Sequence, residues 1–339
     1  MKKYISILLI LILALGSIIY LFLVKSDLGQ EMIKKTKGIQ ERENEISKII
    51  LTNKTACPNC PNGVKEVILE RKKDNWYVNE KFIANENQIE LLLTTIEEMK
   101  VKRPIGVLEM ENVLKRIDVQ RTKVELFSNT HNIKNILVGG NTADQLGTYM
   151  IIETEEDTLT KVFHIPGFSG YLNSRFSCEE TNWRDKKIFN LSNNEIKKIE
   201  ITDYTNPKWS FIIEEFKSNK FRLIRDSIGA VLIDDTLAKK YFKNFNNIFC
   251  EKILSDNVEF STNEVKQRTP FLKISISLKN DSLIILKGIR KNSSERGRTQ
   301  NSKYDTERFY GEINNDLLLI QYQNFNEILK INNVFNIEN

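Results

Sequence analysis

The chain has 339 residues, with 50 basic and 45 acidic side chains and a net charge of +5. So small an excess on this length argues against a nucleic-acid binder, which more often concentrates a strong basic excess on one face, and no nucleic-acid partner is expected. A hydrophobic content of 40% with six prolines excludes a disordered chain and leaves material for one large or two ordinary domains.

The first element is an aliphatic run from Ile5 to Val24, behind Lys2 and Lys3. Only Ser6, Gly16, Ser17 and Tyr20 interrupt it, and none is charged. At about 1.5 Å per residue such a run crosses the ~30 Å hydrocarbon core as one helix. A removable secretory signal is the competing reading. The apolar run continues past Ala14 and Gly16, the pair that would be cleaved, and this favours an uncleaved anchor. Ser17 stands where a lipoprotein box needs Cys, so lipid attachment there is not expected. Residues 1–25 are thus read as a transmembrane anchor in the inner (cytoplasmic) membrane, with the lipid bilayer as partner of Ile5–Val24. Long soluble domains translocate largely regardless of flanking charge, which places the remainder outside the cytoplasm. Residues 26–55 are polar and charged and read as a spacer.

Cys57-Pro58-Asn59-Cys60 comes next. Its spacing suits a local structural disulfide, a redox pair or half of a zinc site. A redox pair usually follows a strand and opens a helix, whereas this one precedes a predicted strand. Zinc would need two more ligands, and neither Cys178 nor Cys250 has a neighbour at metal spacing. A structural disulfide is the plainest reading, with free thiols, metal or redox chemistry as alternatives. No cofactor is expected.

Residues 56–190 read as a first α+β unit. Val64–Arg71 and Trp76–Val78 form strands about a turn, and Asn85 caps a helix carrying Ile89, Leu92, Leu93, Ile96 and Met99 on one face. A short helix is predicted from Leu108 to Ile117. Four strands follow at 122–127, 133–138, 148–153 and 161–165, and Phe168–Leu172 closes the unit as a helical turn. Gly139-Gly140-Asn141 lies between two predicted strands and opens no helix, so it reads as a glycine-permitted turn and not as a phosphate loop.

Residues 191–339 repeat that order of elements. Strands are predicted at 196–201, 209–214 and 221–224, then a helix capped by Asp235, then strands at 271–278, 283–287, 307–313 and 317–322. Sparse matches such as Leu137-Val138-Gly139 with Leu286-Lys287-Gly288 accompany the order. The fold class expected is α+β, with largely antiparallel sheets, an internal duplication and one N-terminal transmembrane helix.

Candidate chemistry is sparse. His164 ends a predicted strand before Pro166-Gly167, where a hydrogen-bonded structural role competes with a binding one. In Trp183-Arg184-Asp185 the tryptophan is expected to pack over a junction with Arg184 pairing an acid; docking of a partner is the alternative. Lys287–Arg308 reads as an inserted basic loop carrying Arg290, Lys291, Arg296 and Arg298. Such a loop suits an acidic partner, anionic lipid or cell-wall polyanion, and a solvated loop is the competing reading.

Trp76–Ala84, Val101–Pro104, Val138-Gly139-Gly140, Gly147–Met150, His164–Leu172 and Trp183-Arg184-Asp185 together resemble a family of bacterial envelope proteins, the domain of unknown function 4340. The resemblance covers residues 65–190 well and the second unit weakly. It implies a membrane-anchored protein, some of whose relatives accompany gliding-type ABC transport components, and it brings no activity. The resulting expectation is a non-catalytic binding or accessory protein with a membrane-complex partner. The alternatives are a thiol–disulfide or metal-binding envelope protein using Cys57 and Cys60, and an enzyme of unrecognised type.

Overall fold

Apolar residues at every second position of many short strands build two large antiparallel sheets. The computed structural model describes residues 46–53, 63–153, 158–256, 260–294 and 302–329. The chain divides into two units, Met1–Trp183 and Arg184–Asn339. Ile5–Val24, Cys57, Cys60, Arg296 and Arg298 lie outside the described residues. Among the described residues no helix is long and apolar enough to cross a membrane.

The first unit runs β1 (Lys48–Asn53), β2 (Lys65–Lys72), β3 (Asn75–Val78), β4 (Phe82–Ile83), α1 (Glu86–Glu98), β5 (Lys100–Pro104), α2 (Val107–Val119), β6 (Thr122–Ser128), β7 (His131–Asn141), β8 (Thr148–Glu153), β9 (Thr158–His164) and α3 (Glu180–Trp183). Its nine strands lie in the order β4-β3-β2-β1-β6-β7-β8-β9-β5. Every pairing is antiparallel. Residues of one parity, among them Ile49, Leu51, Leu69, Leu126, Val138 and Ile152, pack against Ile89, Leu92 and Ile96 of α1. The opposite parity, Leu137, Tyr149, Ile151 and Val162, packs against Val113 and Ile117 of α2. The period of two along the strands thus puts one helix on each face of the sheet. Asn85 caps α1, its Oδ1 accepting the Gln88 N–H at 3.2 Å.

The second unit runs β10 (Lys187–Phe189), β11 (Ile196–Asp203), β12 (Phe211–Lys217), β13 (Lys220–Arg225), β14 (Gly229–Ile233), α4 (Asp235–Phe242), β15 (Ile248–Phe249), β16 (Lys252–Leu254), α5 (Thr262–Lys266), β17 (Leu272–Leu278), β18 (Leu283–Asn292), β19 (Tyr304–Ile313), β20 (Asp316–Gln321) and α6 (Asn326–Leu329). The large sheet has the order β14-β13-β12-β11-β17-β18-β19-β20-β16, and β10 and β15 form a separate ribbon. An aromatic cluster of Phe211, Phe221, Tyr241, Phe242, Phe245, Phe309 and Phe325 fills one side. Leu254, Val265, Ile289, Tyr310 and Leu317 fill the other. Asp234, one residue before the expected Asp235, caps α4 by accepting the Thr236 N–H at 2.8 Å.

Taken one by one, the strands of the two large sheets follow the same order, with a helix on each side of β5 and of β16. Two expectations need correction. Residues 26–55 were expected to be a spacer, yet Lys48–Asn53 is a strand inside the first sheet, paired with β2 on one side and β6 on the other. It is β1, and not the strand at Val64, that occupies the place of β11. Residues 287–308 were expected to be a loop, yet β18 extends to Asn292 and β19 begins at Tyr304, which leaves only 293–303 as the connection. Arg290, Lys291 and Arg308 are therefore strand residues.

Candidate functional site

In the first unit, α2 is held at both ends in ways that leave a groove beside its last turn. At its start, Glu109 receives the Arg103 guanidinium through two hydrogen bonds, at 3.0 and 3.2 Å, and the Tyr149 hydroxyl donates to the same carboxylate. The Arg103 and Tyr149 hydrogen bonds hold the Glu109 carboxyl down at about 2. This clamp ties α2 to β5 and β8.

Towards its end, α2 lies directly over Gly139. A Cβ there would come 2.6 Å from Ile117 Cγ1 and 3.0 Å from the Tyr149 carbonyl oxygen, so only glycine admits the helix this close. Three steps along β7, Val138 to Asn141, match two along β8, Met150 to Thr148. The extra residue is a β-bulge, a device that re-aims the side chains beside it. Gly139-Gly140-Asn141 is therefore part of a strand and not the turn expected from sequence. Opposite Asn141, the Thr148 Oγ1 accepts the Leu172 N–H at 2.7 Å, which brings the following Asn173 to the same corner.

The groove at this corner has a volume of about 640 Å³ and is lined by Lys115, Arg116, Val119 and Gln120 of α2 and its cap, by Gly140 and Asn141 of β7, and by Asn173. Oδ1 of Asn141 and Oδ1 of Asn173 are both buried without a hydrogen-bond partner among the described residues. Leaving a buried acceptor unpaired costs about 1–3 kcal/mol, and both atoms belong to residues that line the groove. Lys115 is engaged by Glu111 at 2.7 Å. Its neighbour Arg116 is exposed and makes no ion pair among the described residues. Among the described residues no group of His, Cys, Asp and Glu is arranged to hold a metal.

The family model described as "Domain of unknown function (DUF4340)" matches residues 76–259, more than half of the chain. The chain belongs to the DUF4340 family. The match takes in all of the groove and runs on into the second unit. No curated protein and no solved structure matches the chain.

The residues singled out from the sequence of this DUF4340 member do not converge on the groove. His164 ends β9 opposite Lys100, where burial and then the Lys102 charge lower its pKa. Trp183 is buried, donates its indole N–H to the Ser177 carbonyl at 2.8 Å, and accepts the Asn85 N–H at 2.7 Å on its own carbonyl. Arg184 holds Asp316 with both terminal guanidinium nitrogens, an acid partner of the kind expected. Asp185 accepts the Lys187 N–H at 3.2 Å. Arg290 stacks on the Phe271 ring at 4.6 Å and faces the Tyr304 ring at 5.3 Å. Lys291 is buried against Asp305 at 2.9 Å, so its charge is held inside the sheet and not on a loop surface. Cys178 and Cys250 are free thiols, each pushed up to about 11 by burial. Sequence reasoning missed Arg116, Gln120, Asn141 and Asn173. The one local signal was Gly139-Gly140 placed directly before an asparagine.

Proposed function

We propose that this DUF4340 protein is held to the inner membrane by Ile5–Val24, with its two α+β units outside the cytoplasm, and works by binding. In this reading it is a non-catalytic accessory of an ABC-type transport or surface complex. The two units are copies of one ancestral unit, a view supported by the shared strand order of the two sheets.

The observation that carries the binding reading is the groove itself, lined by Arg116, Gln120, Asn141 and Asn173 and open above Gly140. Its lining offers amides, cations and an aliphatic side chain. A reaction by general acid and base would ask instead for a carboxylate, imidazole or thiol poised there. The anchoring part rests on the uncharged run Ile5–Val24, long enough for one span.

Copurification from gently solubilised membranes tests both parts. The full chain should bring down membrane-complex proteins, and Gly140→Leu, which fills the groove, should release some of them. Protease added to spheroplasts with opened outer envelopes should digest both units. Protection of the units in intact spheroplasts, or recovery of the chain without membrane partners, would overturn the reading.

A further inference from the structure

We infer that the outward face of α2 pairs with the same face of a second copy of the chain, the two helices lying antiparallel about a two-fold axis. Such pairing goes beyond the binding reading above and does not depend on it.

α2 turns Val113 and Ile117 toward the sheet. At about 100° per residue, its other side carries Val107, Leu108, Glu111, Lys115, Asp118 and Val119 within about 120° of the helix circumference. Three of these are aliphatic and open to solvent: Val107 is 92% exposed, Leu108 96% and Val119 72%. A single exposed aliphatic side chain is ordinary, whereas three on one stripe of a 13-residue helix mark a contact surface.

The order of residues along the stripe selects its occupant. From Val107 to Val119 it runs apolar, acidic, basic, apolar, so it is complementary to itself when reversed. A two-fold axis at the level of Val113 sets Val107 against Val119 of the second copy and Glu111 against its Lys115, and each contact occurs twice. Glu111 and Lys115 meet at 2.7 Å within one helix and both are exposed, so each can also meet the opposite charge of the second copy. The same axis brings Asp118 beside Leu108 of the second copy. Gly106, the N-cap of α2, has no side chain to accept the first-turn N–H groups, and the Asp118 carboxylate suits that positive helix end. A bilayer with anionic headgroups fits less well, because Glu111 and Asp118 outnumber Lys115 on the stripe. One pair of 13-residue helices buries less than the roughly 1,200 Å² of a stable complex, so the dimer is weak and concentration-dependent.

Sedimentation velocity of the full chain in detergent, at up to about 1 mM protein, tests the pairing. A reversible monomer–dimer equilibrium is expected. Glu111→Lys and Lys115→Glu should each weaken it at least about tenfold, since each sets like charges opposite one another twice. Mixing the two variants should restore dimers, because every cation then faces an acid of the other chain. The like charges within each helix remain in the mixture, so a loss of helix stability cannot mimic this pattern. Val107→Ser should weaken the dimer with the melting curve unchanged. A monomer at every concentration overturns the inference. So does a dimer that the single reversals leave intact, or a mixture that gains no dimer over its components. If the chain stays monomeric while Val107→Ser releases membrane partners, the stripe contacts a different protein and the second copy falls.

Discussion

Asp305→Ala should destabilise the second unit by about 3–5 kcal/mol, the range for removing one member of a buried ion pair. Lys291 Nζ and Asp305 Oδ2 are 2.9 Å apart, with side chains only 7% and 9% exposed. Asp305 Oδ1 also accepts the N–H groups of Glu307 and Arg308 at 2.9 and 3.0 Å. The alanine variant strips all three donors of this carboxylate at once. At roughly 2–4 °C per kcal/mol for a unit of this size, the melting point should fall by about 6–20 °C. Combining it with Lys291→Met removes the charge left behind and should restore much of the loss. Burial alone would raise the Asp305 pKa, but Lys291 and the two backbone donors outweigh it and hold it below the ordinary 3.8. A carboxylate with a depressed folded pKa stabilises fully above its unfolded value and loses that contribution as pH falls through the folded one. The gap between wild type and Asp305→Ala should therefore be constant from about pH 7 to 5 and shrink below about pH 4. Urea denaturation followed by circular dichroism measures both effects. A loss under about 1 kcal/mol at pH 7, or a gap that widens on acidification, would refute the reasoning.

Three further outcomes are expected. Leu51→Ala should cost the first unit about 2–5 kcal/mol, because Leu51 is fully buried between two paired strands; a change within about 0.5 kcal/mol in chemical denaturation would return this stretch to a spacer. Gly139→Ala should cost about 1–3 kcal/mol through collision with Ile117 and the Tyr149 carbonyl, and should speed proteolysis around α2. An unchanged melting curve and cleavage rate would show that the helix does not depend on this close approach. Glu109 is held at about 2 against an ordinary 4.5, so its contribution is present above the ordinary value and lost as pH falls toward 2. Glu109→Gln should flatten that part of the acid-denaturation profile, and an unaltered profile would remove the clamp from α2's support.

The antiparallel α+β character was legible in the chain because it is written locally. Where apolar residues alternate, as in Leu272–Leu278, or run together over a few positions, as in Thr148–Glu153, the strand was readable, and the stripe of Ile89, Leu92 and Ile96 behind Asn85 marked α1. Local patterns failed where a distant partner supplies the stability. Only Ile49 and Leu51 turn fully inward in β1, and the strand exists because β2 and β6 hydrogen-bond to both its edges. Lys291 and Asp305 look like loop residues in sequence, yet each neutralises the other inside the sheet. By itself the sequence determined an apolar run able to span a bilayer and the alternation that makes the sheets. The groove was decided by tertiary structure alone. Its walls come from a helix end, a bulged strand and a segment near residue 173, and only long-range packing brings an arginine and two unpaired amide oxygens to one place.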